Sequence, residues 1–209
     1  EEHTDALRPY NLEKPLWVFV GSTVNAVYTE NRQPRSDVLT VVRFLRRVLS
    51  DRAWAIKTIK AVLEGKTGLV SPEGQDVFAG RFGYLREAGN EGVSPARLYD
   101  DILRRIFHAP GGGGLHLCEI KSSPGELGLK AANATDYFGL IYIGDTSEFK
   151  KLVEAGAPEI ALEQDAIAAS LFERINRPDA GLHVLIGAKK FMEGWNSWRV
   201  ASMGLLNIG

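Results

Sequence analysis

The chain has 209 residues, 44% of them hydrophobic and 24% charged, and 25 Lys+Arg against 26 Asp+Glu leave a formal net charge of −1. This profile is that of a globular protein and excludes disorder, which needs fewer apolar residues and more net charge; the 22 glycines keep no period of three, and no apolar run approaches the ~18 residues of a membrane span. A near-zero balance excludes a protein whose whole surface grips nucleic acid, and it leaves room for a local basic face.

The opening residues, Glu1-Glu2-His3-Thr4-Asp5, are acidic where a secretory signal would be positive and then apolar, and no Met initiates them. The expectation is a cytoplasmic protein and a piece of something longer. The first apolar run, Leu16-Trp17-Val18-Phe19-Val20, is continuous, as strands of a parallel sheet covered on both faces are. Val38, Val41, Val42, Leu45, Val48 and Leu49 then recur at helical spacing, with Arg43, Arg46 and Arg47 on the other face. A second helix is expected from about Arg52 to Leu63, a Gly-rich polar stretch over 65–93, and a helix opened by Ser94-Pro95 with Leu98, Ile102 and Ile106 inward. Pro110-Gly111-Gly112-Gly113-Gly114 predicts a flexible joint, followed by a hairpin of 115–121 against 126–131. Residues 138–143 form a second apolar strand, and Asp145 with Glu148 has capping-box spacing for a helix through Phe149, Leu152 and Val153. A further helix is expected from Leu162 to Ile175, carrying Ile167 and Leu171, and apolar strands over 182–186 and 203–208 close the pattern.

Strands alternating with helices imply right-handed crossovers and a three-layer α/β domain with a mostly parallel sheet. That pattern needs residues 1–49 and 133–209. Residues 50–132 are expected to be a helical and hairpin insertion or subdomain. Cys118 has no second cysteine to pair with, which suits a reducing compartment, and the scattered His3, His108, His116 and His183 predict no metal site. Gly65-Lys66-Thr67 imitates the end of a P-loop, but Lys60 stands where the first glycine is required and a helix precedes it, so Gly65 is expected to cap a helix.

Past the strand at 182–186 the sequence runs Ile186-Gly187-Ala188-Lys189-Lys190-Phe191-Met192-Glu193-Gly194-Trp195-Asn196-Ser197-Trp198-Arg199-Val200. Ligand sites of open α/β sheets lie at such carboxyl ends. The core Glu193-Gly194-Trp195-Asn196 resembles motif V of superfamily 2 helicases and translocases, in the DEAD/DEAH-box form related to Res subunits of type III restriction enzymes. Lys14-Pro15-Leu16-Trp17-Val18-Phe19-Val20-Gly21 resembles motif IV, the first strand of the second RecA-like domain. Gly125-Glu126-Leu127-Gly128-Leu129, with residues 137–145, resembles the middle of the same domain, and residues 50–110 have no counterpart.

The resemblance implies a second RecA-like (C-terminal helicase) domain with ATP-binding and DNA-binding roles. Such a domain closes over ATP and Mg²⁺ held mainly by a first RecA-like domain of the same parent and grips a DNA or RNA backbone; a modification subunit is a further partner, and no membrane is involved. Position by position, it implies that Glu193, Gly194 and Asn196 face nucleotide and that Ser22, Thr23, Lys189, Lys190 and Arg199 lie near strand phosphates, with no catalytic residue and no metal ligand in this chain. The residue types suit those roles, since glycine lets backbone N–H groups approach an anion and lysine attracts phosphate without regard to sequence. Asn196 stands where many relatives have Asp, and Ala188 where many have Thr. There is no Walker A and no acidic box, and the chain closes at Gly209 before the motif that supplies an arginine finger. A finger is worth about 10³–10⁵-fold in phosphoryl transfer, so the isolated chain is expected to hydrolyse no ATP.

Two other readings stay open in the sequence. Glu119-Ile120-Lys121 at a strand end, with Asp100-Asp101 upstream, is the skeleton of a PD-(D/E)xK metal-dependent nuclease, in which carboxylates bind Mg²⁺. The arginine face of Arg43, Arg46 and Arg47 would instead suit a non-catalytic interaction module. Trp195 and Trp198 are equally compatible with core packing.

Overall fold

The computed structural model describes residues 14–21, 28–30, 33–90, 94–177, 179–188 and 195–206. The chain begins with strand β1 (Leu16–Gly21) and a small antiparallel pair, β2 (Tyr28–Glu30) and β3 (Gln33–Arg35). Helices α1 (Asp37–Ser50), α2 (Arg52–Glu64), α3 (Gly83–Asn90) and α4 (Pro95–Arg105) follow. Then come β4 (Leu115–Ile120), β5 (Glu126–Ala131), β6 (Gly139–Tyr142), α5 (Ser147–Gly156), β7 (Ala161–Asp165), the one-turn helix α6 (Leu171–Arg174), β8 (Val184–Ala188) and β9 (Val200–Leu206). Seven strands make one sheet in the order β7-β4-β5-β6-β8-β1-β9. β1 pairs in parallel with β8 and β9, β6 with β8, and β4 with β7, while β5 is antiparallel to β4 and β6. Six strands therefore run the same way and only β5 runs against them. This is the expected α/β class with a mostly parallel sheet.

Local chemistry accounts for most of the helices. In α1 the buried positions Val38, Leu39, Val41, Val42, Leu45 and Leu49 make one apolar stripe. Asp51 caps α2 by accepting from the Trp54 amide at 3.0 Å. Gly65 ends that helix at φ 62°, the left-handed cap expected in place of a phosphate loop. Ser94 accepts from the Arg97 amide at the start of α4, with Pro95 in the first turn. At α5 the capping box does not form: Asp145 Oδ1 accepts from Ser147 N at 2.8 Å, and the Thr146 hydroxyl, in the N-cap position, turns to Glu119.

Side chains of α1, α2, α4 and α5 bury one face of the sheet in a single cluster with Leu117, Leu127, Leu129, Ile141, Val184 and Ile186. The opposite layer is thinner. There Leu171, Ile175, Leu182, Phe172 and Trp195 cover Leu16, Val18, Val20, Leu140 and Leu185.

Three expectations are corrected. Residues 50–132 are not set apart from the domain: α2 and α4 belong to the main helical layer, and β4 and β5 sit inside the sheet between β7 and β6. The helix expected over 162–175 is instead β7, a turn and α6. Alanine 161 to Asp165 pair with His116 to Ile120, giving the outer edge of β4 a hydrogen-bonded neighbour, and Ile167, an inward position of the expected helix, is 96% exposed. The glycine run at 111–114 is a packed turn, since Gly113 N donates to Leu49 O and a Cβ on Gly112 (φ 67°) would stand 2.6 Å from that same oxygen.

Candidate functional site

Because six strands are mutually parallel, their carboxyl ends, Gly21, Ile120, Tyr142, Asp165, Ala188 and Leu206, all reach one edge of the sheet. Open α/β sheets bind ligands at that edge. β1 lies between β8 and β9 with Gly21 in register with Ala188 on one side and Leu206 on the other. The strand of the segment that resembles motif IV and the strand that leads into the segment resembling motif V are thus neighbours with level ends. Ser22, Thr23, Lys189, Lys190, Glu193 and Gly194 follow these ends in sequence and lie outside the described residues.

Beyond these residues stands Trp195. Its ring packs on Phe172, centroids 6.3 Å apart, and Phe172 stacks on Tyr142 at 5.1 Å, so an aromatic row crosses the thin layer from β6. The Trp195 indole N–H is buried with no hydrogen-bond partner among the described residues. Trp198 is 77% exposed and is no core residue. Asn196 is exposed, and its backbone carbonyl accepts from Asn176 Nδ2 at 3.0 Å.

Arg199 is placed differently from its expected phosphate contact. It is 2% exposed, and its guanidinium donates from Nε to Lys14 O at 2.9 Å, from Nη1 to Ile175 O and from Nη2 to Leu182 O at 2.5 Å. A guanidinium fans its donors in one plane, so its three nitrogens each meet a separate carbonyl. Its own carbonyl accepts from Leu16 N at 2.7 Å, which starts the β1–β9 ladder. Arg199 is a structural clasp.

Farther along the same edge, Glu119 accepts Lys121 Nζ at 2.7 Å on one oxygen, and Lys150 Nζ at 2.8 Å and the Thr146 hydroxyl at 3.1 Å on the other. The hydrogen bonds from Lys121 and then Lys150 hold its carboxyl at about 2, below the ordinary 4.5. Both oxygens face ammonium groups, and the acidic pair of the nuclease skeleton is elsewhere: Asp100 pairs with Arg52 and Asp101 with Arg104 on α4. The structure does not bring these carboxylates together, and among the described residues no group of three or more His, Cys, Asp or Glu is placed to hold a metal ion.

The arginine face is likewise occupied. Arg43 Nη2 donates to Gly156 O, Arg46 meets Glu159 at 3.1 Å, and Arg47 meets Asp51 at 3.4 Å while lying 4.2 Å over the Trp54 ring.

A cavity of about 390 Å³ lies beside the connection from β7 to β8, lined among others by His108, Tyr137, Ala168, Leu171, Arg174 and Gly181. Two residues at the carboxyl edge escape a reading of the sequence: Lys150 looks like any exposed helix lysine, and Glu126 like any strand glutamate. Only the tertiary fold gives them partners. No helix among the described residues is long and apolar enough to cross a membrane.

What the fold and this edge define is an open α/β domain whose parallel strands end at one margin of the sheet. Comparisons with protein-family models, with known proteins and with solved structures give no match.

Proposed function

We propose that the chain is the second RecA-like domain of an ATP-dependent DNA helicase or translocase of the type III restriction Res kind. The observation that supports this reading is the pairing of β1 with β8. β1, which lies in the segment resembling motif IV, and β8, which leads into the segment resembling motif V, are more than 160 residues apart in sequence, yet they pair in parallel and end in register at the sheet's carboxyl edge.

In this reading Lys189 and Lys190, with the hydroxyls of Ser22 and Thr23, attract backbone phosphates at the ends of β8 and β1. Glu193, Gly194 and Asn196 form this domain's side of a nucleotide cleft, where the glycine admits close backbone approach. ATP with Mg²⁺, bound mainly by the companion domain, supplies the phosphoryl-transfer chemistry that drives movement along the strand. What this chain contributes to nucleotide is chiefly position: the Asn196 backbone is fixed by Asn176.

Fluorescence anisotropy of a labelled single-stranded DNA oligonucleotide across a salt series tests the reading. For single strands the slope of log K against log [salt] is about −0.7 per neutralised phosphate, so Lys189→Ala/Lys190→Ala is expected to flatten it by about 1.4. Absence of binding by the unmodified chain, or a slope indifferent to both lysines, would refute it.

A further inference from the structure

We propose that Glu126 is a positioning residue for the segment that runs from the end of the motif V resemblance into β9: its carboxylate fixes the amino end of α6, and α6 in turn holds residues 195–199. The functional part of this inference rests on the helicase reading above, because Asn196 belongs to the set assigned there to nucleotide.

β5 is the one strand that runs against the others, so its first residue, Glu126, lies at the same edge as the carboxyl ends of the other six. Glu126 is 2% exposed. Its Oε1 accepts from the hydroxyls of Ser123 at 2.7 Å and Ser170 at 2.6 Å, and its Oε2 from the amides of Leu171 at 2.7 Å and Phe172 at 3.4 Å. Those two amides open α6 and have no carbonyl of their own helix to meet. A four-residue helix is far too short to persist without such support. Glu126 therefore ties α6 to the sheet across 44 to 46 residues of sequence.

α6 and the turn after it then make three contacts with the segment leading into β9. The Phe172 ring packs on Trp195, Asn176 donates to the Asn196 carbonyl, and the Ile175 carbonyl accepts from Arg199. The order of attachment is Glu126 to 170–172, then 172–176 to 195–199. Glu126 touches neither Trp195 nor Asn196, so its influence on them passes through α6.

Amide hydrogen exchange read by mass spectrometry, on the full chain, tests this directly. Glu126→Gln keeps the side chain's size but turns an N–H₂ toward backbone donors. It is expected to raise exchange about tenfold or more in peptides covering both 170–176 and 195–199, leaving those covering β4 and β6 unchanged, and Glu126→Asp should restore part of the protection. Asn176→Ala removes one of the three contacts of the second link and leaves the first intact, so it should raise exchange over 195–199 while 170–174 stay protected; this arm decides the question even where Glu126→Gln fails to fold. Deprotection of 170–176 with 195–199 untouched would overturn the proposal, as would an Asn176→Ala chain with unchanged exchange. Titration of the same variants with a fluorescent ATP analogue and Mg²⁺ supplies a readout that a purely structural tie would not move, with Kd expected to rise threefold to tenfold in Glu126→Gln. An unchanged Kd despite coupled deprotection would overturn the functional role. Coupled deprotection in a chain whose unmodified form binds no oligonucleotide would refute the helicase reading and support the mechanical link.

Discussion

Replacing Arg199 by alanine separates a structural clasp from a phosphate contact. The side chain is 2% exposed and donates to three carbonyls, of which those of Ile175 and Leu182 are bound in the interior. Removing it strips the donor from both, and a hydrogen bond to a charged group contributes about 1.5–3 kcal/mol. The Lys14 carbonyl, near solvent, is re-hydrated at little cost. Arg199→Ala should therefore cost about 3–5 kcal/mol, roughly a fifth or more of the ~5–15 kcal/mol that holds a typical domain together. Urea unfolding followed by far-UV circular dichroism should show a lower midpoint at unchanged slope, and the melting temperature should fall by roughly 6–20 °C. Arg199→Lys should recover less than half of the loss, because one ammonium cannot replace a planar fork. The reasoning fails if Arg199→Ala unfolds within about 0.5 kcal/mol of the unmodified chain while oligonucleotide binding collapses, the signature of an arginine facing phosphate.

Other groups make further outcomes measurable. Lys121 first, and Lys150 next, hold the Glu119 carboxyl at about 2 instead of 4.5, so its contribution is present above pH 4.5 and lost as pH falls from there toward 2. Glu119→Gln should be less stable at pH 7, with the gap closing over that window; a gap of constant size down to pH 2 would refute the pairing. Burial, reinforced by the charge of His108, lowers the His183 imidazole from 6.5 to about 4. Only the unfolded chain takes up that proton between those values, so stability should decline from pH 6.5 toward 4, and His183→Asn should flatten this slope in thermal unfolding. Cys118 is 1% exposed and burial pushes its thiol up to about 11, so a thiol reagent at pH 8 should titrate no fast-reacting group before denaturation and one after it. A fast-reacting native thiol would show that β4 is not covered there.

Legibility followed the range of the interactions involved. The stripe Val38 to Leu49 and the caps Ser94 and Gly65 act within a turn of helix, and each appears in the structure where the spacing puts it. The helix expected over 162–175 failed because Leu162 to Asp165 satisfy their backbone against β4, some 45 residues away, a demand that no local window contains. The hairpin of β4 and β5 was visible as a hairpin, but its membership of the main sheet was not, since the pairings of β5 with β6 and of β4 with β7 decide it.

The same division runs through the candidate site. The sequence alone determined which segments carry the resemblance to motifs IV and V and which residue types suit phosphate and nucleotide, because those signals lie in contiguous stretches. Tertiary structure alone decided that β1 and β8, the strands next to these signals, are neighbours with level ends, that Arg199 turns inward to carbonyls, and that Glu126 reaches α6. The physical reason is that side-chain chemistry is written residue by residue, whereas the partner of a buried donor or acceptor is chosen by whichever distant backbone the packed sheet brings within about 3 Å.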